Sequence, residues 1–137
     1  MRLTAPALLC AAIVVPLAGC GNQAADLFVA QRSGSVPGAA LRMRVVDDGQ
    51  VICNGGASHD IDSKQLIDAR RLVEDLQKPA RARTSLPPGH PSILRFSIRT
   101  QDGTVGFSDT SPRQPAAFYR AALLIRTLAK GPCHLPR

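Results

Sequence analysis

Three histidines are the side chains best suited to acid–base chemistry or metal binding, and they lie far apart in the sequence, at His59, His90 and His134. His59 begins a His-Asp-Ile-Asp segment, whose alternating polar side chains could form an acid–base or metal site. Asp62 ends this segment and is also a good helix N-cap. We favour a capped loop, because caps are common and a metal needs further ligands. We therefore expect no metal site and no cofactor.

A hydrolytic enzyme is the least favoured interpretation of the remaining polar residues. The chain lacks a Gly-x-Ser-x-Gly motif, and its glycines form no phosphate-binding pattern between a strand and a helix. Asp109 lies two positions after Phe107 and could share its buried face, but hydrogen bonding in a turn or at the entry to the last helix is its expected role. A hydrolase would need His59, His90 or Asp109 to converge in one cleft, so we predict that no residue is catalytic.

The amino terminus carries a motif for export and lipid attachment. A positive charge precedes an apolar run over residues 5–15, which is shorter than the about 20 residues that a spanning helix needs. The run is followed by Leu17-Ala18-Gly19-Cys20, which resembles the lipobox of bacterial lipoproteins. An ordinary secretory signal with an incidental cysteine is the alternative.

The lipobox resemblance implies a location and a domain organisation. In that family the signal is cleaved before the cysteine, and the cysteine receives a diacylglyceryl group. Residues 1–19 would then be the signal peptide, Cys20 the lipidated first residue, residues 20–25 a tether and residues 26–137 a single α+β domain. These expectations put the protein on the extracytoplasmic face of a bacterial cell membrane, with that membrane as one partner.

Under this domain organisation, two of the four cysteines remain free to form a disulfide in the mature protein. Cys10 lies in the signal and Cys20 is the lipid acceptor, which leaves Cys53 and Cys133. An even pair in an exported, oxidising setting predicts a disulfide. A metal site is the weaker alternative, because the nearby His134 adjoins Cys133 and is poorly placed for chelation.

The composition limits the classes of partner. The formal net charge is +7, but the basic residues are scattered among acidic ones and never form a run of five. Aromatic residues make up 4% of the chain, which argues against an aromatic platform for carbohydrate or single-stranded nucleic acid. We expect an ordinary basic surface rather than a dedicated lipid or nucleic-acid site, and no nucleic-acid partner.

Several β-strands are predicted from alternation and turn residues. A β-prone run starts at Leu27, and an alternating run over residues 41–45 returns after an Asp-Asp-Gly turn as the strand that ends at Cys53. A second hairpin alternates from Leu94 to Phe107, with its turn at Asp102-Gly103. The hairpins favour an antiparallel sheet.

Two amphipathic helices are predicted, one in the middle and one near the end of the chain. The first begins at the N-cap Asp62, with Gln65 as its capping-box partner, and is stopped by Pro79. The second carries an apolar stripe that starts at Phe118. The order strand, hairpin, helix, hairpin, helix predicts an α+β fold. It has an antiparallel sheet of about five strands, with two helices packed on one face.

A segment rich in glycine and serine after the first strand is the candidate partner-binding loop. It combines flexible glycine with stiff proline, and exposed loops on a rigid sheet are common binding elements. A plain connector is the alternative. The candidate partner-binding residues are Arg32, Ser33, Gly34, Ser35 and Val36.

The body of the chain resembles the emfourin family, which are small proteinaceous inhibitors of thermolysin-like metallopeptidases. The likeness spans about residues 27–129 and depends on the Arg-Ser-Gly start at Arg32 and the Phe-Ser-Asp strand end at Phe107. It implies a peptidase as partner and assigns no inhibitory residue. The whole chain also resembles small lipoproteins of bacterial envelopes, which implies location alone.

We therefore predict a non-enzymatic, lipid-anchored module that binds another envelope or secreted protein, in its sharpest form a metallopeptidase inhibitor. The alternative is a lipoprotein that binds a small ligand or an envelope polymer. A filled core with exposed loops favours the first function, and a concave apolar pocket between sheet and helices favours the second.

Overall fold

A computed structural model describes residues 24–136, which form an α+β fold. Its elements are β1 (Asp26–Gly34), β2 (Leu41–Val46), β3 (Gln50–Cys53), β4 (Ser58–Asp60), α1 (Ser63–Arg81), β5 (Leu94–Thr100), β6 (Gly103–Ser108) and α2 (Ala116–Lys130). Within the described range the six strands make one open antiparallel sheet in the order β4-β3-β2-β1-β5-β6. The predicted class is confirmed, with one strand more than the about five expected.

The additional strand is β4, at one edge of the sheet. His59 and Asp60 were expected in a loop before the helix, and this expectation is wrong, because the backbone of Ser58–Asp60 pairs with Gln50–Ile52 of β3. A three-residue strand of polar side chains has neither the length nor the composition that marks a strand in a sequence. Its conformation follows from the neighbouring strand to which it is hydrogen-bonded.

Strand β1 is longer than predicted and lies between β2 and β5. Arg32 is paired with Leu41 on one side and with Phe96 on the other, and Gly34 is still paired with Leu94. Arg32, Ser33 and Gly34 therefore lie in a strand and not in a loop. Pairing on both sides supplies the hydrogen bonds that hold this Gly- and Ser-containing segment extended.

The turn of the first hairpin matches its prediction, and that of the second is shifted by one position. Gly49 closes the first turn with a φ of 89°, a left-handed value that glycine adopts at little cost. In the second hairpin Thr100 is paired with Gly103, so the two turn residues are Gln101 and Asp102, one position earlier than predicted. Gly103 lies against α1, and a Cβ atom at this position would be 2.3 Å from the Ala80 carbonyl oxygen.

Helix α1 begins as predicted but ends later. Asp62 Oδ1 accepts a hydrogen bond from the Gln65 backbone at 2.8 Å, and Gln65 Oε1 accepts one from the Asp62 backbone at 3.0 Å. The expected stop at Pro79 is wrong, because the helix runs through Pro79 to Arg81. Proline in the last turn removes a single helical hydrogen bond, and the Pro79 carbonyl still accepts from Thr84 N at 2.9 Å.

One hydrophobic core joins the sheet to both helices. Phe107 of β6 stacks on Phe96 of β5, with ring centroids 5.0 Å apart, and on Phe118 of α2, with centroids 4.7 Å apart. Along β2 and β5 the buried apolar residues alternate with exposed ones. The helices therefore cover one face of the sheet and leave its other face open.

A disulfide joins the two halves of the fold. Cys53 at the end of β3 and Cys133 just after α2 have Sγ atoms 2.10 Å and Cα atoms 6.1 Å apart, which is the pairing that the sequence predicts. The bridge spans a sequence separation of 80 residues. It fastens the carboxyl-terminal end of α2 to the β4–β3 side of the sheet.

Candidate functional site

A cleft lies between one end of the sheet and helix α2, with a volume of about 530 Å³. We call it the α2 cleft. Its walls come from β1, β5, β6, α2 and the carboxyl-terminal segment, and they combine apolar and aromatic side chains with two arginines, a carboxylate and an amide. The lining residues are Arg32, Leu94, Phe96, Phe107, Asp109, Gln114, Tyr119, Ala122, Leu123, Arg126 and Pro136.

The outer rim of the α2 cleft is formed by two exposed, largely apolar side chains of α2, Tyr119 and Leu123. Tyr119 is 58% exposed and Leu123 is 64% exposed, although both are large side chains. They lie four positions apart and so occupy neighbouring places on one helix face. Phe118 and Ile125 anchor the opposite face in the core. Tyrosine and leucine held outward by a rigid helix give the cleft an accessible apolar rim.

Two charged side chains in the wall of the cleft form hydrogen bonds with the backbone of the protein itself. Arg32 is 5% exposed, and its Nε donates to the Ala39 carbonyl at 2.9 Å while Nη2 donates to the Gly38 carbonyl at 3.1 Å. Asp109 accepts from the Ile93 backbone with both carboxylate oxygens at 3.2 Å. Ile93 precedes β5, so the Asp109 carboxylate bonds a distant segment and not the turn in which Asp109 lies, whereas its backbone carbonyl accepts from Gln114 Nε2 at 3.4 Å before α2. These groups present fixed polar edges to the cleft.

Arg126 is the exposed cationic group of the α2 cleft. It follows Leu123 by three positions on α2, so the two side chains are neighbours on the helix surface. No ion pair joins Arg126 to another residue of the 24–136 range. The cleft thus offers an apolar rim beside an accessible guanidinium.

The candidate loop residues are divided by the structure rather than brought together. Arg32 lies in β1 and its side chain lines the α2 cleft, whereas Ser33 has Arg95 as its cross-strand neighbour on β5. Ser35 and Val36 lie in the turn after β1, where Ser35 N donates to the Ile93 carbonyl at 3.2 Å. The five residues do not form one continuous binding loop.

Two of the three histidines meet, which the sequence did not indicate. The rings of His59 on β4 and His134 after α2 make an edge contact, with centroids 6.0 Å apart. This contact lies beside the disulfide, since Cys133 adjoins His134. In the described part of the chain no three His, Cys, Asp or Glu side chains are grouped so that they could hold a metal ion.

A second cleft separates the two helices and is bounded by charged pairs. Lys64 lies 2.6 Å from Asp68, and Arg120 of α2 lies 2.7 Å from Asp75 of α1. The hydrogen bond that Lys64 Nζ donates to Asp68, and then the negative charge of Asp68, raise the pKa of Lys64 above its ordinary value. The Arg120–Asp75 pair joins the two helices at their surface, whereas the Lys64–Asp68 pair lies within α1.

The open face of the sheet carries a group of arginines from distant parts of the sequence. Arg42 and Arg44 lie on β2, and Arg95 and Arg99 lie on β5, and all four are exposed. We call this surface the arginine face. The alternation of arginine with apolar residues along each strand was visible in the sequence, but the meeting of the two strands across β1 was not.

No protein-family model matches the chain, and no curated protein or solved structure matches it. No helix within residues 24–136 is long and apolar enough to cross a membrane. Cys20 and the lipobox lie outside the described residues. The lipoprotein and emfourin resemblances therefore stay predictions.

Proposed function

We propose that this chain is a non-enzymatic, lipid-anchored binding module on the extracytoplasmic face of a bacterial membrane, and that it binds another protein through the α2 cleft. The observation that carries the proposal is the exposed pair Tyr119 and Leu123 beside the accessible Arg126. Tyrosine and arginine are enriched in the energetically dominant parts of protein interfaces, where they surround or fill a pocket.

Rigidity of the site supports a binding function. The α2 cleft is built on a helix and on sheet strands rather than on a long loop, and α2 is fixed by the Phe107–Phe118 stack and by the Cys133 disulfide. A preformed surface loses little conformational entropy when its partner binds. The same disulfide supports extracytoplasmic placement, because such bonds persist in oxidising compartments.

The partner class to test first is a thermolysin-like metallopeptidase, which the emfourin resemblance implies. Residues 21–137, with Cys53 and Cys133 oxidised, contain every described element and are titrated against such a peptidase while peptide hydrolysis is followed. Stoichiometric inhibition that persists in excess zinc supports the inhibitor function and excludes metal removal by the His59–His134 pair. Absence of inhibition at micromolar protein contradicts the inhibitor function and leaves the broader binding proposal to be tested through the cleft.

Two matched variants connect any binding to the α2 cleft. Leu123→Asp puts a charge into the apolar rim, whereas Ile67→Asp makes the same change at a 49% exposed position on α1. We expect Leu123→Asp to weaken partner binding by at least tenfold, because the introduced carboxylate would lose its water when the partner covers the cleft. Ile67→Asp should leave binding unchanged. Equal behaviour of the two variants would place the interface elsewhere.

A small-ligand lipoprotein is the second candidate, and the cleft volume favours it. About 530 Å³ lies within the range of small-molecule sites, and the lining combines apolar walls with a few polar groups. Native mass spectrometry of the protein purified from its envelope distinguishes the two functions. A bound small molecule that is lost in Ala122→Trp, which fills the cleft, supports the ligand function.

A further inference from the structure

Three of the four arginines on the arginine face have no carboxylate partner among residues 24–136. Arg70, Arg81 and Arg120 each lie within 2.8 Å of a carboxylate. No such pair joins Arg42, Arg95 or Arg99 to any residue from 24 to 136. The fold therefore gathers these unpaired guanidinium groups on the face of the sheet that neither α1 nor α2 covers.

The arrangement of these arginines follows from the register of three strands. Val29 of β1 is paired with Arg44 on one side and with Arg99 on the other. Adjacent strands lie about 4.8 Å apart, so these two arginines leave the backbone about 10 Å from each other. Gln31, two residues further along β1 and on the same face, is paired with Arg42. Ser33, two residues beyond Gln31, is paired with Arg95. The four positions form a quadrilateral centred on β1.

The acidic groups on this face lie at its margin and already have partners. Asp26, at the start of β1, lies 3.0 Å from Arg44. Asp60, on the edge strand β4, accepts a hydrogen bond from Gln50 at 2.8 Å. Between the arginines lie the buried Val29 and the polar Ser33 and Ser97, and no exposed large apolar side chain of the described residues belongs to this face. A surface of this kind lacks the apolar anchor of a protein interface and matches a layer of anionic groups.

The position of the tether favours the headgroups of the anchoring membrane as the anionic layer. This inference rests on the proposed lipid anchor. Strand β1 is the central strand of the arginine face, and it starts at Asp26, six residues after Cys20. A chain of that length spans at most about 20 Å. The anchor would therefore hold the arginine face within reach of the headgroups, where the attraction of basic groups to anionic lipid acts over about 10 Å.

We propose that the arginine face is a docking surface for the anionic phospholipid headgroups of the membrane in which the chain is anchored. Guanidinium groups bind phosphate oxygens through paired hydrogen bonds, which suits a phosphodiester headgroup. Docking of the open sheet face turns the helix layer away from the membrane. The α2 cleft is then presented to a partner in solution, and the orientation does not depend on that partner's identity.

The test uses residues 21–137 without an acyl group, so that its outcome does not depend on lipidation. Co-sedimentation is measured with vesicles of phosphatidylcholine and with vesicles that also contain phosphatidylglycerol. The triple variant Arg42→Gln, Arg95→Gln, Arg99→Gln is compared with Arg71→Gln, Lys78→Gln, Lys130→Gln, which removes the same charge from exposed positions on the helices. Circular dichroism establishes that both variants are folded.

We expect wild type to bind the phosphatidylglycerol vesicles and not those of phosphatidylcholine alone. Each arginine near the surface contributes about fivefold to the partition coefficient, so the sheet-face variant should lose roughly 100-fold and the helix variant much less. Equal losses in the two variants would show an effect of net charge alone and overturn the proposal. Failure of wild type to bind anionic vesicles would also overturn it. Neither result bears on the α2 cleft, which the Leu123 variants test separately.

Discussion

The Nε atom of Arg81, in the last turn of α1, lies 2.8 Å from Oδ1 of Asp102, in the turn between β5 and β6. Arg81 is 67% exposed in its side chain, but Asp102 is only 11% exposed, and its Oδ2 is buried without a hydrogen-bond partner among the described residues. This ion pair joins α1 to the sheet beside the close approach of Gly103 to Ala80. The carboxylate depends on Arg81 for its neutralisation.

Loss of Arg81 should therefore cost more than loss of an ordinary surface ion pair. Arg81→Ala leaves a largely buried carboxylate without its partner, and we expect the free energy of unfolding to fall by about 1–3 kcal/mol. The double variant Arg81→Ala, Asp102→Ala should be less destabilised than Arg81→Ala alone. Urea unfolding measures both. Arg120→Ala is the control, because its partner Asp75 is 45% exposed and the expected loss is about 0–1 kcal/mol.

Removal of the disulfide should destabilise the fold without abolishing its topology. The double variant Cys53→Ser, Cys133→Ser frees a loop of 80 residues in the unfolded chain, and we expect a loss of about 3–5 kcal/mol. Urea unfolding of the variant should coincide with that of reduced wild type. A midpoint that reductant leaves unchanged would contradict the bond in the purified protein.

Arg32 should act on stability rather than on partner choice. Its guanidinium donates to the carbonyls of Gly38 and Ala39, and Arg32→Ala leaves them without that donor. We expect a loss of about 2–3 kcal/mol, as for buried hydrogen bonds to a charged group. Arg95→Ala, at an exposed position on the neighbouring strand, should change stability by less than about 0.5 kcal/mol. Unchanged unfolding of Arg32→Ala would restore Arg32 as a candidate contact residue.

The lipid anchor is tested on the full chain in bacterial cells. The intact mass of the mature amino terminus should show cleavage before Cys20 and an added diacylglyceryl group, and the protein should fractionate with membranes. Cys20→Ala should lose the modification, whereas Cys10→Ala should not, because Cys10 lies in the predicted signal. An unmodified Cys20 in a chain released from the membrane would contradict the anchor.

Most of the fold was predictable because its strands, turns and helix ends are determined by residues that are close in sequence. The alternation in β2 and β5, the Asp62–Gln65 capping box and the turn at Gly49 each require only a few neighbouring residues. Strand β4 and the end of β1 were missed because their polar residues are strands only through pairing with their neighbours. Pro79 was misjudged because a single missing hydrogen bond is tolerated in a last turn.

The candidate surfaces were less predictable because they depend on the strand order. Arg42 and Arg95 are distant in sequence and share a face only because β1 lies between β2 and β5. Tyr119 and Leu123 could be placed off the buried stripe of α2, but the cleft beside them also needs Leu94 and Pro136 from other segments. The sequence thus indicated which side chains are exposed, and the topology decided which of them meet.

The most direct test of the proposed function is site-specific photo-crosslinking of the full chain in the envelope of its native host. A photoreactive residue is placed at Leu123 on the rim of the α2 cleft and, for comparison, at Ile67 on α1. We expect the Leu123 position to form one discrete adduct with a protein, and Tyr119→Ser to weaken this adduct. The Ile67 position should give none. Absence of a protein adduct at Leu123, or the same adducts at both positions, would contradict protein binding at the α2 cleft.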